Sequence, residues 1–406
     1  MVDTNLRLLV LGTGGCAHVL AGMMSSHRHV DVRVLTQSSG EAERWNSQMT
    51  EVGFDVVMRN WEAKKEKHFV SKPSRVSHDP SQVAPGCNMF IFTGPVSHHE
   101  MYFQAIKPYI DPGCIIVGMP GGCGFSFQAE GVLGEKLRKC FMINFDACPW
   151  TCHINSFGFG VAVTSMKESV LVSSLGGFTP GLLVKDPVKT LGQLLYEHPS
   201  LSLKGHILGD SLTNLDAILN PCIMYGQWCN WDGEPLDSAP LFYQGIDEIA
   251  AALATGIGDE AVNISKAITR LKPHIDLTRV LLVKDIYKSA HVIDGSNDVD
   301  IRSLVANDWD RAGIKHDMRH METFELVPDF MCGHLTVDVP LGLVVMRGMA
   351  DIVGVLTPYM DEIIKWAESK MGKEYIQFDK LLGRDVMETR CPQKYGLKTL
   401  DDIVNI

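Results

Sequence analysis

The segment from Leu6 to Ala21, LRLLVLGTGGCAHVLA, constrains the fold more than any other part of the chain. An apolar run from Leu8 to Leu11 breaks into a glycine-rich corner at Gly12, Gly14 and Gly15, and a helical pattern then runs from Ala17 to Met24. A strand, a tight glycine turn and a helix start, in that order, open a dinucleotide-binding βαβ unit. Gly12 permits the turn, Gly14 lets the backbone approach a pyrophosphate, and Ala17 is small enough for helix and strand to pack closely. The free N–H groups and positive dipole end of the helix would face the phosphates. The alternative is an ordinary βα turn that binds nothing.

The next strand is Val30 to Leu35, VDVRVL. NAD-binding domains often place an Asp or Glu at the end of this strand to hold the ribose hydroxyls. Here the positions read Thr36, Gln37, Ser38 and Ser39, with Glu41 and Glu43 soon after. Arg33 lies inside the strand and Arg44 farther along, so no arginine cluster awaits a 2′-phosphate. This favours NAD over NADP. Thr36 and Ser38 are the candidates for the ribose, with capping of the following helix as the alternative for Ser38.

Further apolar segments alternate with helical ones. Helices are expected at Glu41 to Thr50 and Asp79 to Ala84, with an edge strand at Phe69 to Val76 despite Pro73. Met89 to Thr93, Cys114 to Met119 and Phe141 to Phe145 read as buried strands, and Phe157 to Ser165 and Val170 to Leu175 as later ones. His98 and His99 follow a strand end, where an open α/β sheet keeps its ligands, so they could face a cofactor; capping by Ser97 and Glu100 is the alternative. Trp150, also at a strand end, either walls a pocket or plugs the core. Near residue 200 helical patterns take over, at Ile246 to Leu253, Asp259 to Leu271 and Met360 to Met371. The expected architecture is α/β: a Rossmann-type nucleotide-binding domain over 1–200 and a mostly helical domain over 201–406, with substrate in a cleft between them.

Composition narrows the function. The net charge is −11 and no basic stripe stands out, which argues against nucleic acid or an anionic membrane as partners. No apolar run reaches the roughly 20 residues that span a bilayer, and the N-terminus does not read as a signal peptide. The 11 cysteines form no Cys-x-x-Cys pair, so they read as free thiols in a reducing cytoplasm, with no metal site.

Several long strings resemble one family. They include GTGGCAH, VDVRVLT with EAERW, HHEMYFQAI, VGMP with GFSFQ, CPWTC, NPCIMYGQWCNWDGEP, APLFYQGID, HLTVDVPLG and TRCPQKYG. Together they resemble the opine dehydrogenases, which include the octopine, tauropine, strombine and alanopine dehydrogenases. The resemblance spans nearly the whole chain. It implies NADH-dependent condensation of pyruvate with an amino acid, re-oxidising NADH in anaerobic glycolysis. The small-molecule substrates are then pyruvate and an amino acid; the oligomeric state is not readable.

The family's site residues carry over unevenly. A family His before a Pro, the acid/base of the reaction, falls at Asn220 here, and Asn exchanges no proton near neutral pH. The Asp that orients that His matches Asp338. A family Arg that helps hold a substrate carboxylate falls at Gly333, and a family Gln of the pyruvate site at Gly122. His334, beside Gly333, could restore an imidazole near Asp338. Trp150, Cys152, Gly122 and Thr336 are the candidate substrate contacts. The family usually reads Asn then Gly where this chain has Gly15 and Cys16, while His18 matches. Trp228, Trp231, Tyr225 and Tyr243 are expected in the core or a cleft wall, Arg390 and Lys394 on a solvated surface, and Asp300 to Asp317, with His316, as a solvated loop and helix. Two readings stand at this point: an active enzyme with rebuilt substrate contacts, or a catalytically degenerate protein that keeps the fold and binds nucleotide or ligand.

Overall fold

The computed structural model describes residues 6–49, 54–59, 65–176, 181–291, 299–321 and 325–406. It divides into two compact units, Met1–Ile207 together with Ile406, and Leu208–Asn405.

The first unit is built on an eight-stranded sheet. Its strands are β1 (Leu6–Leu11), β2 (Val30–Leu35), β5 (Arg75–Ser77), β6 (Met89–Phe92), β7 (Ile115–Gly118), β8 (Phe141–Phe145), β11 (Ser169–Leu175) and β12 (Ser200–His206). The order across the sheet is β12-β11-β8-β7-β6-β1-β2-β5. All neighbours are parallel except β8 and β11. Apolar side chains alternate between two faces, so both are buried, as a parallel sheet requires. Leu8 and Val10 enter one core cluster; Leu9 and Leu11 enter the other. The chain reverses its winding between β1 and β6, which makes the carboxyl ends of these two strands the crevice where such sheets bind ligands.

A second sheet, not foreseen from sequence, has the order β4-β3-β10-β9. It comprises β3 (Asp55–Met58), β4 (Lys67–Val70), β9 (Trp150–Ser156) and β10 (Gly160–Met166). The single strand expected at Phe69 to Val76 is therefore two strands in two sheets. Pro73 lacks the N–H a continuous ladder needs, and the chain changes sheet there. The strand expected from Phe157 begins only at Gly160, because Gly158, at φ +78°, turns the β9–β10 hairpin. The helix expected at Glu41 to Thr50 is Ser39–Gln48, and Thr50 lies outside the described residues.

The second unit is mostly helical. Its longest helix, Glu248–Leu271, joins the two helical segments expected at Ile246 to Leu253 and Asp259 to Leu271, running through Gly256 and Gly258. These glycines are contact points: a Cβ at Gly256 would lie 2.6 Å from the Tyr359 ring and one at Gly258 2.9 Å from Val283. Against it packs Leu215–Trp228, which carries Asn220 and Pro221. Trp228 is in the core and Trp231 is half-buried. Arg390, expected on the surface, is 1% exposed, because the Thr389–Cys391 stretch threads the helical core with the Arg390 N–H on the Pro340 carbonyl. His316 is buried as well, its Nδ1 accepting from Trp228 Nε1 at 3.0 Å, so the Asp300 to Asp317 stretch is not wholly solvated. Among the described residues no helix is long and apolar enough to cross a membrane.

Candidate active site

The glycine turn sits at the crevice between β1 and β6. Gly12 has φ +130°, and a Cβ there would lie 2.8 Å from Thr93 Oγ1 and 2.9 Å from the Gly94 nitrogen. No other residue fits that backbone and that approach. Gly14 precedes the helix Gly15–Ser25, and a Cβ on it would meet no atom within 4 Å, so the space above it is open. The helix has no acidic residue in its first turn and no side-chain cap. Its orphan N–H groups and dipole are left for an anion. Ala17 is fully buried against the sheet. At Gly15 a Cβ would lie 2.6 Å from Cys152 Sγ, which explains why a glycine stands here. The thiol of Cys152 is pushed up to about 11 by burial and by Cys148.

Two buried histidines brace this crevice from behind. His18 Nδ1 donates to the Gly14 carbonyl at 3.0 Å, and its Nε2 accepts from Gly158 N–H at 3.0 Å. Only the neutral ring with its proton on Nδ1 satisfies both bonds. Burial lowers its pKa to about 4, and it stacks on Trp45 at 4.0 Å. His99 Nε2 donates to the Gly94 carbonyl at 3.0 Å, with its ring edge-on to Phe92 and Phe125. His99 is thus a prop behind the turn and does not face a cofactor. The N-cap positions of the two helix starts over Val96–Ile106 are Pro95 and His98, neither of which caps with its side chain, and Glu100 lies in the first turn of the second.

At the end of β2, Ser38 caps the next helix by accepting from Glu41 N–H at 3.3 Å. Buried Thr36 donates its hydroxyl to the Ser38 carbonyl at 2.8 Å. Sequence reasoning passed over the residue that matters here. Glu41 reaches back over the strand end, where its Oε2 accepts from the N–H groups of Gln37 (3.0 Å) and Ser38 (3.3 Å). Its Oε1 accepts from Thr13 of the glycine turn at 2.8 Å. The capping-box pattern, Ser38 with Glu41, was the available signal. Arg33 is engaged by Asp31 and by the carbonyls of Val83 and Pro85, and Arg44 lies over the Phe157 ring. Gly122 has φ +72° in the loop after β7, and Trp150, 5% exposed, belongs to the core at the start of β9.

The second unit brings Asn220, Asp338 and His334 together. Asn220, 4% exposed, donates from Nδ2 to Asp338 Oδ2 at 2.8 Å. Its Oδ1 accepts from the Tyr243 hydroxyl at 3.2 Å, so both ends of the amide are fixed. Burial raises the Asp338 pKa, while the His334 and Asn220 donors oppose that rise. His334 Nδ1 lies 3.8 Å from Asp338 Oδ2, and Nε2 lies 3.9 Å from Asp317 Oδ2. The ring stacks on Phe242 at 4.3 Å and 19°. The imidazole therefore lies between two carboxylates, with its ring plane set by the Phe242 stack. Thr336 donates its hydroxyl to the Cys332 carbonyl at 3.0 Å. Gly333 is exposed, and a Cβ on it would meet nothing within 4 Å.

A Rossmann-type crevice in one unit, with a buried amide and a half-buried carboxylate and imidazole in a helical second unit, fits a two-domain nicotinamide-dependent dehydrogenase. Comparison with known proteins makes the class specific. Residues 203–371 match the family described as NAD/NADP octopine/nopaline dehydrogenase, alpha-helical domain. The chain is 39% identical over 403 residues to the opine dehydrogenase of Haliotis discus hannai, covering 99% of both chains. It is 35% identical to the tauropine dehydrogenase of Arabella iricolor, covering 98% of this chain and 99% of that one. The solved structure of octopine dehydrogenase with NADH and L-arginine superposes with a TM-score of 0.91 at 35% identity, covering 98% of each chain. This chain belongs to the opine dehydrogenase family.

Proposed function

We propose that this chain condenses pyruvate with an amino acid and reduces the resulting imine at the expense of NADH, giving an N-(1-carboxyethyl) amino acid. The near-full-length identity to opine and tauropine dehydrogenases supports this reading, as do the solved octopine dehydrogenase complexes with NADH and L-arginine or pyruvate. The observation that carries it is the Asn220–Asp338–His334 arrangement, which retains a carboxylate and an imidazole at one site despite the changed position 220.

NADH, when bound, supplies the hydride. The turn through Gly12, Gly14, Gly15 and Ala17 would hold its pyrophosphate by backbone N–H groups. Glu41, folded back over the end of β2, would supply the carboxylate that the strand end itself lacks for the ribose hydroxyls. This negative charge, with Arg33 and Arg44 both engaged, favours NAD over NADP. In the helical unit Asn220 carries no exchangeable proton near neutral pH, and its amide serves to orient Asp338. His334 gives its proton to the carbonyl oxygen, which leaves as water when the imine forms, and Asp338 and the Phe242 ring position the imidazole for this. The free thiols fit a reducing cytoplasm, where this reaction would re-oxidise NADH in anaerobic glycolysis.

The test is NADH oxidation with pyruvate and glycine, alanine, β-alanine, taurine or arginine, with the product weighed by mass spectrometry. Turnover with incorporation of the amino acid is expected; absence of turnover with all five sinks the reading. The double change Asn220→His with Gly333→Arg separates a rebuilt site from a degenerate one. It should depress an active parent, whereas a gain of activity from nothing would mark the parent as degenerate.

A further inference from the structure

A substrate with carboxylates needs a cation, and Gly333 offers none at the position where the family carries an arginine. The helical unit places another arginine against the same site. Arg311 closes the short turn Trp309–Arg311, and its side chain is 20% exposed. Its guanidinium lies 4.5 Å above the Tyr243 ring, and the Tyr243 hydroxyl donates to Asn220, which in turn binds Asp338. On its other side Tyr287 stands at 6.0 Å. Nη2 pairs with Asp216 at 3.4 Å. Nη1 is buried and has no hydrogen-bond partner among the described residues.

That last atom is the telling one. A buried donor on a charged group is costly to leave unpaired, and native structures seldom do so without a ligand or water in its place. The two tyrosines and Asp216 fix the plane of the guanidinium, so one edge of the fork is spent on the protein and the other is preorganised. A carboxylate matches that edge in charge and in planar geometry. We propose that Arg311 binds a carboxylate of the condensing substrates through its free Nη1 edge, replacing the cation missing at Gly333. The inference rests on the opine-forming reading above. It accounts for how this chain dispenses with an arginine at 333: the positive charge enters from the Tyr243 side of Asp338.

The experiment compares wild type, Arg311→Lys, Arg311→Met and Arg311→Ala by steady-state kinetics, varying pyruvate and amino acid separately, with thermal melts as a folding control. Arg311→Met should raise the KM of one carboxylate substrate by about 10- to 100-fold, the range for a lost charge-assisted hydrogen bond, with the KM of NADH within about twofold of wild type. Arg311→Lys should recover only part of this, because an ammonium cannot present a fork. Added guanidinium ion should partly rescue Arg311→Ala. A rise confined to pyruvate assigns the contact to the keto acid. A rise confined to the amino acid assigns it to that partner, and discrimination against the decarboxylated amine should then collapse. Unchanged KM values for both substrates, or a fall in kcat alone without guanidinium rescue, would overturn the assignment and leave Arg311 as a structural stack. If Arg311→Met and Arg311→Ala do not fold, the folded lysine variant decides by the same KM criterion. A wild type inactive with every amino acid instead overturns the underlying reaction, and the inference with it.

Discussion

The crevice at Gly12 and Gly14 is built of backbone; the cluster at Asn220, Asp338 and His334 is built of side chains. The two regions tolerate substitution to different degrees, and their construction explains why. A turn made of N–H groups and a helix dipole depends on torsion angles and close approach, so a side chain such as that of Cys16 can vary without touching the recognition atoms. A proton-transfer site depends on the pKa and reach of particular atoms. An amide such as that of Asn220 exchanges no proton near neutral pH, so another side chain of the cluster must supply it.

The comparison breaks most readily at Gly12. Gly12→Val would place a branched side chain at φ +130° and against Thr93 Oγ1. We expect NADH binding, followed by nicotinamide fluorescence, to fall by more than about a hundredfold, since strain and steric exclusion add. Retained affinity would show that the crevice is not backbone-built.

The side-chain site comes next. Asp338→Asn keeps the shape but removes the charge that steadies His334. We expect kcat to drop by about 10²- to 10⁴-fold, the usual span for general acid–base catalysis, with the KM of NADH nearly unchanged. His334→Gln should fall in the same range. If His334→Gln is as active as wild type, the proton donor lies elsewhere. Burial raises the Asp338 pKa, so its carboxylate should begin to protonate at higher pH than an ordinary aspartate. The acid limb of the wild-type pH–rate profile should therefore lie at higher pH than an ordinary aspartate would give and vanish in Asp338→Asn.

This division also governs what could be read from the sequence. The β1 turn, most strands of the main sheet and the helical second half were legible, because glycine placement and apolar runs are local signals; β12 (Ser200–His206), which carries the sheet past residue 200, was not. Nor was the second sheet. Its strands β3, β4, β9 and β10 are short and drawn from distant parts of the chain, and two of them pair only across about 100 intervening residues. In the site, the sequence identified Asp338, Asn220 and His334 as candidates, but not that both ends of the Asn220 amide are bonded. Glu41, Arg311 and the buried state of His99 and Arg390 were missed for one reason. Each acts through a contact between segments remote in sequence, or by a side chain folding back on its own turn.

Glu41 sharpens the comparison, because it is a side chain serving the backbone-built crevice. Glu41→Gln keeps the shape and removes the negative charge at the end of β2. The ratio of kcat/KM for NADH to that for NADPH should fall by about tenfold, since a 2′-phosphate carries close to two negative charges at pH 7. Ser38→Ala, which weakens the same helix cap but keeps the charge, should leave the ratio unchanged. Equal losses with both cofactors in Glu41→Gln would reduce the residue to a cap.

The smallest effect is expected at His18, and it tests how far the backbone turn stands unaided. His18→Phe preserves the stack on Trp45 but strands the Gly14 carbonyl and the Gly158 N–H. A lost hydrogen bond of about 1 kcal/mol corresponds to roughly fivefold, so NADH affinity should weaken by about three- to tenfold. His18→Asn, whose amide can still donate from the Nδ1 position, should lose less. The acid stability profile supplies an independent reading. The folded ring titrates at about 4 and the unfolded one near 6.5, so between those values the unfolded chain takes up a proton that the native protein refuses. Stability contributed by the neutral ring is complete above pH 6.5 and is lost as the pH falls toward 4, by up to about 3 kcal/mol at 1.36 kcal/mol per unit. Urea denaturation across this window should show that loss in wild type and a flatter profile in His18→Phe. A variant that binds NADH as tightly as wild type, yet shows the flattened profile, would confine His18 to folding and leave the turn self-supporting.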